Sequence, residues 1–376
     1  MSTLARPLGL FDGARSPGQV AAPAHPLAPG RAGRLTAAAG RRRAWWCGAV
    51  LLVALLGVCV ASMHLGQYPI PVADVVSGLA RSLGLSDAPV LASDGVLWNV
   101  RVPRVGAGLL VGAALGTAGA VTQSLFGNPL AEPSVIGITS GAGVGAAAAT
   151  VLATAGSAVL LVPLSAFAAG VVTTLLVWGL ATLVRGGGTV TLVLVGIAVN
   201  AVAGAASSLM IFLTDTASRE AVVFWQLGSL NGATWPAVGA TAPLVLAGLV
   251  WSLTMSGRLD VLVLGERAAA HTGVNLRSLR AQAVLCAALL TAAAVSVAGI
   301  IGFIGLIVPH LLRLVVGPRQ QYILPLSALG GALLITGSDL IARTAIEFVD
   351  LPIGALTAVI GGPVFFLLLR RRGSVT

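Results

Sequence analysis

The chain has 376 residues, 57% of them hydrophobic and only 9% charged, with a formal net charge of +10. Soluble domains carry about 25% charged residues, so this chain lacks the charge to cover a water-facing surface, and a soluble globular fold is excluded. All 22 basic residues are Arg. Without Lys the chain can form neither a P-loop, which grips nucleotide phosphates through a Gly-Lys pair, nor a lysine Schiff base, so any ATP it uses must be bound by another subunit.

Residues 1–43 come first, rich in Pro, Gly, Ala and Arg and ending in Arg41-Arg42-Arg43. Their apolar periodicity is too weak for independent folding, which predicts a disordered cytoplasmic tail. The apolar run that follows is longer than the core of a cleaved signal peptide. Crossing about 30 Å of hydrocarbon takes about 20 residues of helix. Ala44–Met63, Val105–Gly127 and Ser157–Val184 reach that length without a charged side chain. Hydropathy predicts ten spans inside one membrane domain, 44–372: about 44–64, 104–126, 134–154, 158–184, 189–213, 236–255, 281–299, 301–316, 323–343 and 353–369.

Charge decides between ten spans and nine, because the seventh and eighth nearly touch. With the tail inside, ten spans leave seventeen Arg at the cytoplasmic side. Five lie at the outer side: Arg81, Arg101, Arg104, Arg219 and Arg343. That is the asymmetry expected of a membrane protein, and it places both termini in the cytoplasm. Nine spans would put Arg370–Arg372 outside. The same sidedness accounts for the net charge without nucleic acid. An internal repeat agrees: Ala118-Gly119 and Pro129 recur as Ala298-Gly299 and Pro309, and Pro163-Leu164-Ser165-Ala166 recurs as Pro325-Leu326-Ser327-Ala328. Five spans separate the copies, so they are inverted relative to each other, as in many transporters. The predicted fold class is an all-α polytopic membrane protein.

Small residues crowd 106–119, 137–149 and 354–362, where they let helices pack closely. Cys47, Cys59 and Cys286 have neither disulfide nor metal spacing and read as small buried hydrophobes. Only His310, Arg313, Asp339 and Arg343 bring charge near the hydrocarbon, each close to a span end. Ion-coupled carriers keep such groups at work inside the membrane, so a stand-alone secondary carrier is disfavoured. An enzyme using His310 and Asp339 is disfavoured too, since the two fall on different spans toward opposite faces. No catalytic, cofactor or metal residue is expected.

Two motifs lie outside the spans. Arg101-Val-Pro-Arg104 precedes the second span on the outer side, with Pro103 suited to a helix start. It is either a pair of interfacial anchors or a cationic patch for the carboxylates of a docking protein. In the inner loop 257–280, Gly265 and Gly273 bracket a short amphipathic helix. Glu266 and Arg267 lie on one side and Ala268, Ala269 and Ala270 on another, followed by His271 and Thr272. Such a helix either docks into a groove on a cytoplasmic partner or lies on lipid.

Taken in order, several strings make the sequence resemble the FecCD/BtuC-like family, permease subunits of bacterial ABC importers for iron–siderophores, haem and vitamin B12. They are Arg101-Val-Pro-Arg104, Gln123-Ser-Leu-Phe-Gly-Asn-Pro-Leu-Ala-Glu-Pro133, Leu227-Gly-Ser-Leu230, Leu264-Gly-Glu266, Gly302-Phe-Ile-Gly-Leu-Ile-Val-Pro-His310, Asp339-Leu-Ile-Ala-Arg343 and Leu351-Pro-Ile-Gly354. The resemblance implies ten helices in the bacterial plasma membrane and a second permease subunit, a copy or a paralogue. It also implies two ABC ATPase subunits inside, an extracytoplasmic substrate-binding protein outside, and lipid around the bundle. Carried over by position, Arg101, Arg104 and Arg343 would meet acidic residues of the binding protein. Gly265 to Gly273 would be the ATPase coupling segment, and Asn200, Ser207, Ser208 and Met210 would line the translocation path. A ferric siderophore is the expected cargo because most of the family carries one; vitamin B12 and haem are the alternatives, and no residue decides among them.

Overall fold

The computed structural model describes residues 31–86, 89–153, 156–184, 188–263, 265 and 271–372. The chain divides into two units, 1–41 and 42–376. Helix α1 (Arg31–His64) starts well before the first predicted span, so the end of the expected tail falls inside a helix. The Leu35-Thr-Ala-Ala-Ala stretch, with good helix formers, extends the span in that direction. Residues 1–30 of the tail lie outside the described residues.

Two short helices follow, α2 (Val72–Ser82) and α3 (Ala92–Val96). A π turn at Leu97–Arg101 then leads into α4 (Val102–Phe126). After α5 (Ile138–Leu152), α6 (Ala158–Leu183) and α7 (Thr189–Leu213) comes the short α8 (Thr216–Gln226). The second half holds α9 (Trp235–Val263), α10 (Leu276–Ala298), α11 (Ile304–Val316), α12 (Gln320–Thr344) and α13 (Ile353–Arg372). Each of the ten predicted spans is a helix: α1, α4 to α7 and α9 to α13.

Among the described residues seven helices are long and apolar enough to cross a membrane, and α5, α11 and α13 are shorter apolar helices. With 15 and 13 residues, α5 and α11 rise only about 22 and 20 Å, less than a hydrocarbon core. Hydropathy overestimates both because the apolar run continues through backbone that is not helical. A 3₁₀ turn at Pro133–Ile136 and Gly137 precede α5, and the loop from Gly299 to Phe303 precedes α11. The repeat is visible in these lengths. Helices α4, α5 and α6 have 25, 15 and 26 residues, and α10, α11 and α12 have 23, 13 and 25, a long-short-long triplet in each half.

The middle of the fold is α4 against α10 and α12. Within the apolar stretch of α4, 78% of residues are buried, against 17% for α6 and for α7, so α6 and α7 keep most of their surface open. Small residues let the central helices meet backbone to backbone. A Cβ at Gly116 would lie 2.1 Å from the Ser327 carbonyl on α12, and one at Gly119 would lie 2.0 Å from the Gly305 carbonyl on α11. No side chain fits at either place.

Candidate functional site

At one end of the bundle the C-termini of α1 and α12 and the N-termini of α4 and α13 converge, and the three arginines expected to face outward meet there. Arg101 donates to the carbonyls of Met63 (2.6 Å), Leu65 (3.0 Å) and Tyr68. Arg343 donates to the same Leu65 carbonyl at 2.9 Å and to the carbonyl and hydroxyl of Ser62, each at 2.5 Å. Arg104 bridges two carboxylates: its Nε reaches Asp339 Oδ1 at 2.9 Å, and its Nη1 reaches Asp350 Oδ2 at 3.2 Å. Asp339, only 1% exposed, also pairs with Arg343 one turn later at 3.6 Å.

Arg104 and Arg343 are paired with the two carboxylates, while among the described residues Arg101 is held by backbone carbonyls alone, which leaves the cluster one unit of positive charge. Arg101 and Arg343 are themselves buried, 5% and 7% exposed. The structure therefore brings the three predicted docking residues together, and each is hydrogen-bonded to acceptors of this chain. Sequence reasoning assigned all three to one side of the membrane, and in the fold they lie at one end of the bundle. It missed Asp350, and it noted Asp339 as a charge near a span end and as the start of the string Asp339–Arg343, without a partner for it.

Beside this cluster, the strings Leu227–Leu230 and Leu351–Gly354 meet the end of α10 in one junction. Ser229 N–H donates to the Ala298 carbonyl (2.8 Å) at the end of α10, and Ile353 N–H to the Gly228 carbonyl (2.9 Å) at the start of α13. Gly228 takes a φ of +72°, and a Cβ there would lie 2.5 Å from the Ile300 carbonyl. Both constraints require glycine.

Deeper in the bundle, the two inverted halves are bonded to each other. Gln123 Nε2 donates to the carbonyls of Gly305 and Leu306, both at 3.0 Å, while its Oε1 accepts from Arg313. Glu132 Oε1 accepts the Phe303 N–H at 2.8 Å, and its Oε2 faces the Ser134 hydroxyl at 3.4 Å. A carboxylate from the first half thereby caps the N-terminus of α11 in the second, where both its charge and its acceptor oxygen suit the helix end. Neither Gln123 nor Glu132 was assigned a role from sequence. Both lie inside the string Gln123–Pro133, which was the available signal.

Of the expected path residues, Asn200 and Ser207 share a face of α7 turned toward α5. Asn200 donates to the Ser134 carbonyl (3.1 Å) and accepts from Ser140 (2.5 Å), and Ser207 is buried. Ser208 lies on the exposed side, its hydroxyl donating to the Gly204 carbonyl one turn back, and Met210 is half-buried. In the expected coupling segment, Glu266, Arg267, Ala268, Ala269 and Ala270 lie outside the described residues. Gly265 and Gly273, with φ of +109° and +77°, are turn points at its two ends, and His271 and Thr272 are exposed. At that same end, Asp260 near the close of α9 accepts the Gln320 N–H at 2.6 Å, capping α12.

Comparison with known proteins places this arrangement. The profile of the FecCD transport family matches residues 52–371. The chain is 40% identical over 277 residues to the cobalamin import system permease protein BtuC of Halobacterium salinarum, covering 74% of each chain. It is 37% identical to the hemin transport system permease protein HmuU of Yersinia pestis, covering 73% of this chain and 84% of that one. Identity is also 37% to the Fe(3+)-citrate import system permease protein YfmD of Bacillus subtilis, over 79% and 91% of the two chains. A solved structure described as an inward-facing metal-chelate type ABC transporter superposes with a TM-score of 0.74. It is 29% identical and covers 86% of this chain and 98% of that one.

Proposed function

The chain belongs to the FecCD transport family, and on that premise we propose that it carries a ferric siderophore or a closely related iron chelate into the cytoplasm. At the coarser level it is a multi-pass membrane permease subunit of an ABC importer of the metal-chelate, B12 and haem type. The observation supporting iron is the match to an Fe(3+)-citrate permease over 79% of this chain and 91% of that one. The 40% identity to a cobalamin permease supports vitamin B12 as a second reading.

In the proposed mechanism the chain performs no covalent chemistry. Two partner ATPases bind the Gly265–Gly273 segment, and nucleotide binding and hydrolysis there tilt the bundle so that access alternates. A binding protein delivers the chelate to the outer end, where the residual positive charge of the Arg101, Arg104 and Arg343 cluster attracts its carboxylates and raises the association rate. Because the guanidinium donors are engaged inside the chain, the attraction acts mainly through the field and through the rim at Arg104 and Asp350. The path runs along the open side of α7, between this chain and a second permease subunit, past Ser208 and Met210. Its small and weakly polar lining holds cargo loosely, which leaves selectivity to the binding protein. Both termini lie in the cytoplasm.

The substrate reading has a direct check. Cells carrying the importer with its own binding protein should take up an iron-labelled ferric siderophore, and this uptake should vanish when the chain is deleted. Cobalamin uptake that depends on the chain, with ferric chelate uptake unaffected, would replace iron by vitamin B12.

A further inference from the structure

A cavity of about 450 Å³ opens at the end of the bundle where α6 stops and α7 and α10 begin. Two of its walls are cationic. Arg277 and Arg280 line it from the first turns of α10, three residues apart and therefore on one face of that helix. Opposite them stand Thr189 and Gly188, the first residue and the N-cap of α7. Helix N-termini carry partial positive charge and stay stable when an anion offsets it. Neither α7 nor α10 supplies one, since neither has an acidic residue in its first turn. Arg277 and Arg280 add to the positive end of their own helix. Among the described residues that line the cavity there is no Asp or Glu.

Apart from Thr182, the rest of the wall is apolar. Leu125, Leu183, Val184 and Leu192 continue from the cationic rim toward the span interior, and Trp178 stands among them. Aromatic side chains of this kind collect at the level of lipid headgroups. A free anion would leave that apolar surface bare, whereas a lipid fills both parts.

We propose that this cavity is a binding site for an anionic phospholipid. The phosphate lies between the Arg277 and Arg280 guanidinium groups and the N-terminus of α7, and an acyl chain lies along Leu125 and Leu192. Basic pockets between membrane helices are suited to headgroups in this way. The site adjoins the segment that leads from Gly273 into α10, so a bound lipid would steady the base of the loop to which an ATPase partner is assigned above. The lipid assignment itself does not depend on that reading.

The test uses the purified full chain in detergent and reads its thermal midpoint. Phosphatidylglycerol should raise the midpoint about 2–4 °C more than phosphatidylcholine with the same acyl chains. The double variant Arg277→Gln, Arg280→Gln should lose that difference while keeping its midpoint in phosphatidylcholine. The control Arg370→Gln, Arg371→Gln, which removes equal charge elsewhere, should retain it. Equal effects of the two lipids would overturn the proposal, as would a phosphatidylglycerol preference that survives in the first double variant. An equal rise with inorganic phosphate alone would also overturn it, in favour of a free-anion site.

Discussion

Asp339→Ala is expected to cost about 3–5 kcal/mol of stability, because it removes one partner of a buried ion cluster and leaves the others uncompensated. Among the described residues Asp339 is the one carboxylate within ion-pair distance of both Arg104 and Arg343, at 2.9 and 3.6 Å. Both arginine side chains are largely buried, 11% and 9% exposed, so water cannot replace the lost partner. The damage should spread beyond the pair. Arg343 also holds the carbonyls of Ser62 and Leu65, so the end of α1 should loosen with it. Thermal unfolding of the purified chain reads this, and Asp350→Asn is the comparison. Among the described residues Asp350 is in ion-pair contact with Arg104 alone, at 3.2 Å and 21% side-chain exposure, and its loss should cost about 1 kcal/mol or less. Equal midpoints for the two variants would mean that Asp339 is not the keystone of the cluster.

The second large effect is expected at the proposed coupling segment. Reversing charge at a contact that is desolvated in a complex costs several kcal/mol, about 2–5 where a paired charge is left alone. Glu266→Arg should therefore weaken binding of the ATPase partner by about thirtyfold or more. Co-purification with the partner would fail while the thermal midpoint of the chain itself stays at the wild-type value. Turnover of any residual complex should no longer respond to cargo-loaded binding protein. Stable co-purification with unchanged turnover would remove Glu266 from the contact and leave the segment between Gly265 and Gly273 to bind through its alanine face.

Hydropathy was enough to place all ten apolar helices, because it depends on local composition, and the recurring strings at 118–119 and 298–299 and at 163–166 and 325–328 were enough to match α4 with α10 and α6 with α12. The short helices show where composition stops being informative. The run through Ile300 and Ile301 is as apolar as the helix after it, yet Gly299 at φ +68° and Phe303 at φ +69° keep it non-helical. The site was legible in charge and not in pairing. Arg104 meets Asp339 and Asp350 across 235 and 246 residues of sequence, and a single sequence carries no signal for such pairs. For the same reason Arg101 and Arg343 read as an outward-facing patch, although backbone carbonyls around Leu65 engage them; acceptors on the main chain leave no mark in the residue types. Glu132 stood in plain view inside a recognisable string, and its role awaited the position of Phe303.

The central claim is that this permease moves its cargo with energy from partner ATPases. It is tested most directly by reconstituting the chain with its ATPase and binding protein in vesicles and following labelled ferric chelate. Accumulation that requires ATP and persists with a protonophore present is the predicted result. Accumulation without ATP that the protonophore abolishes would contradict the account and make the chain a carrier driven by an ion gradient.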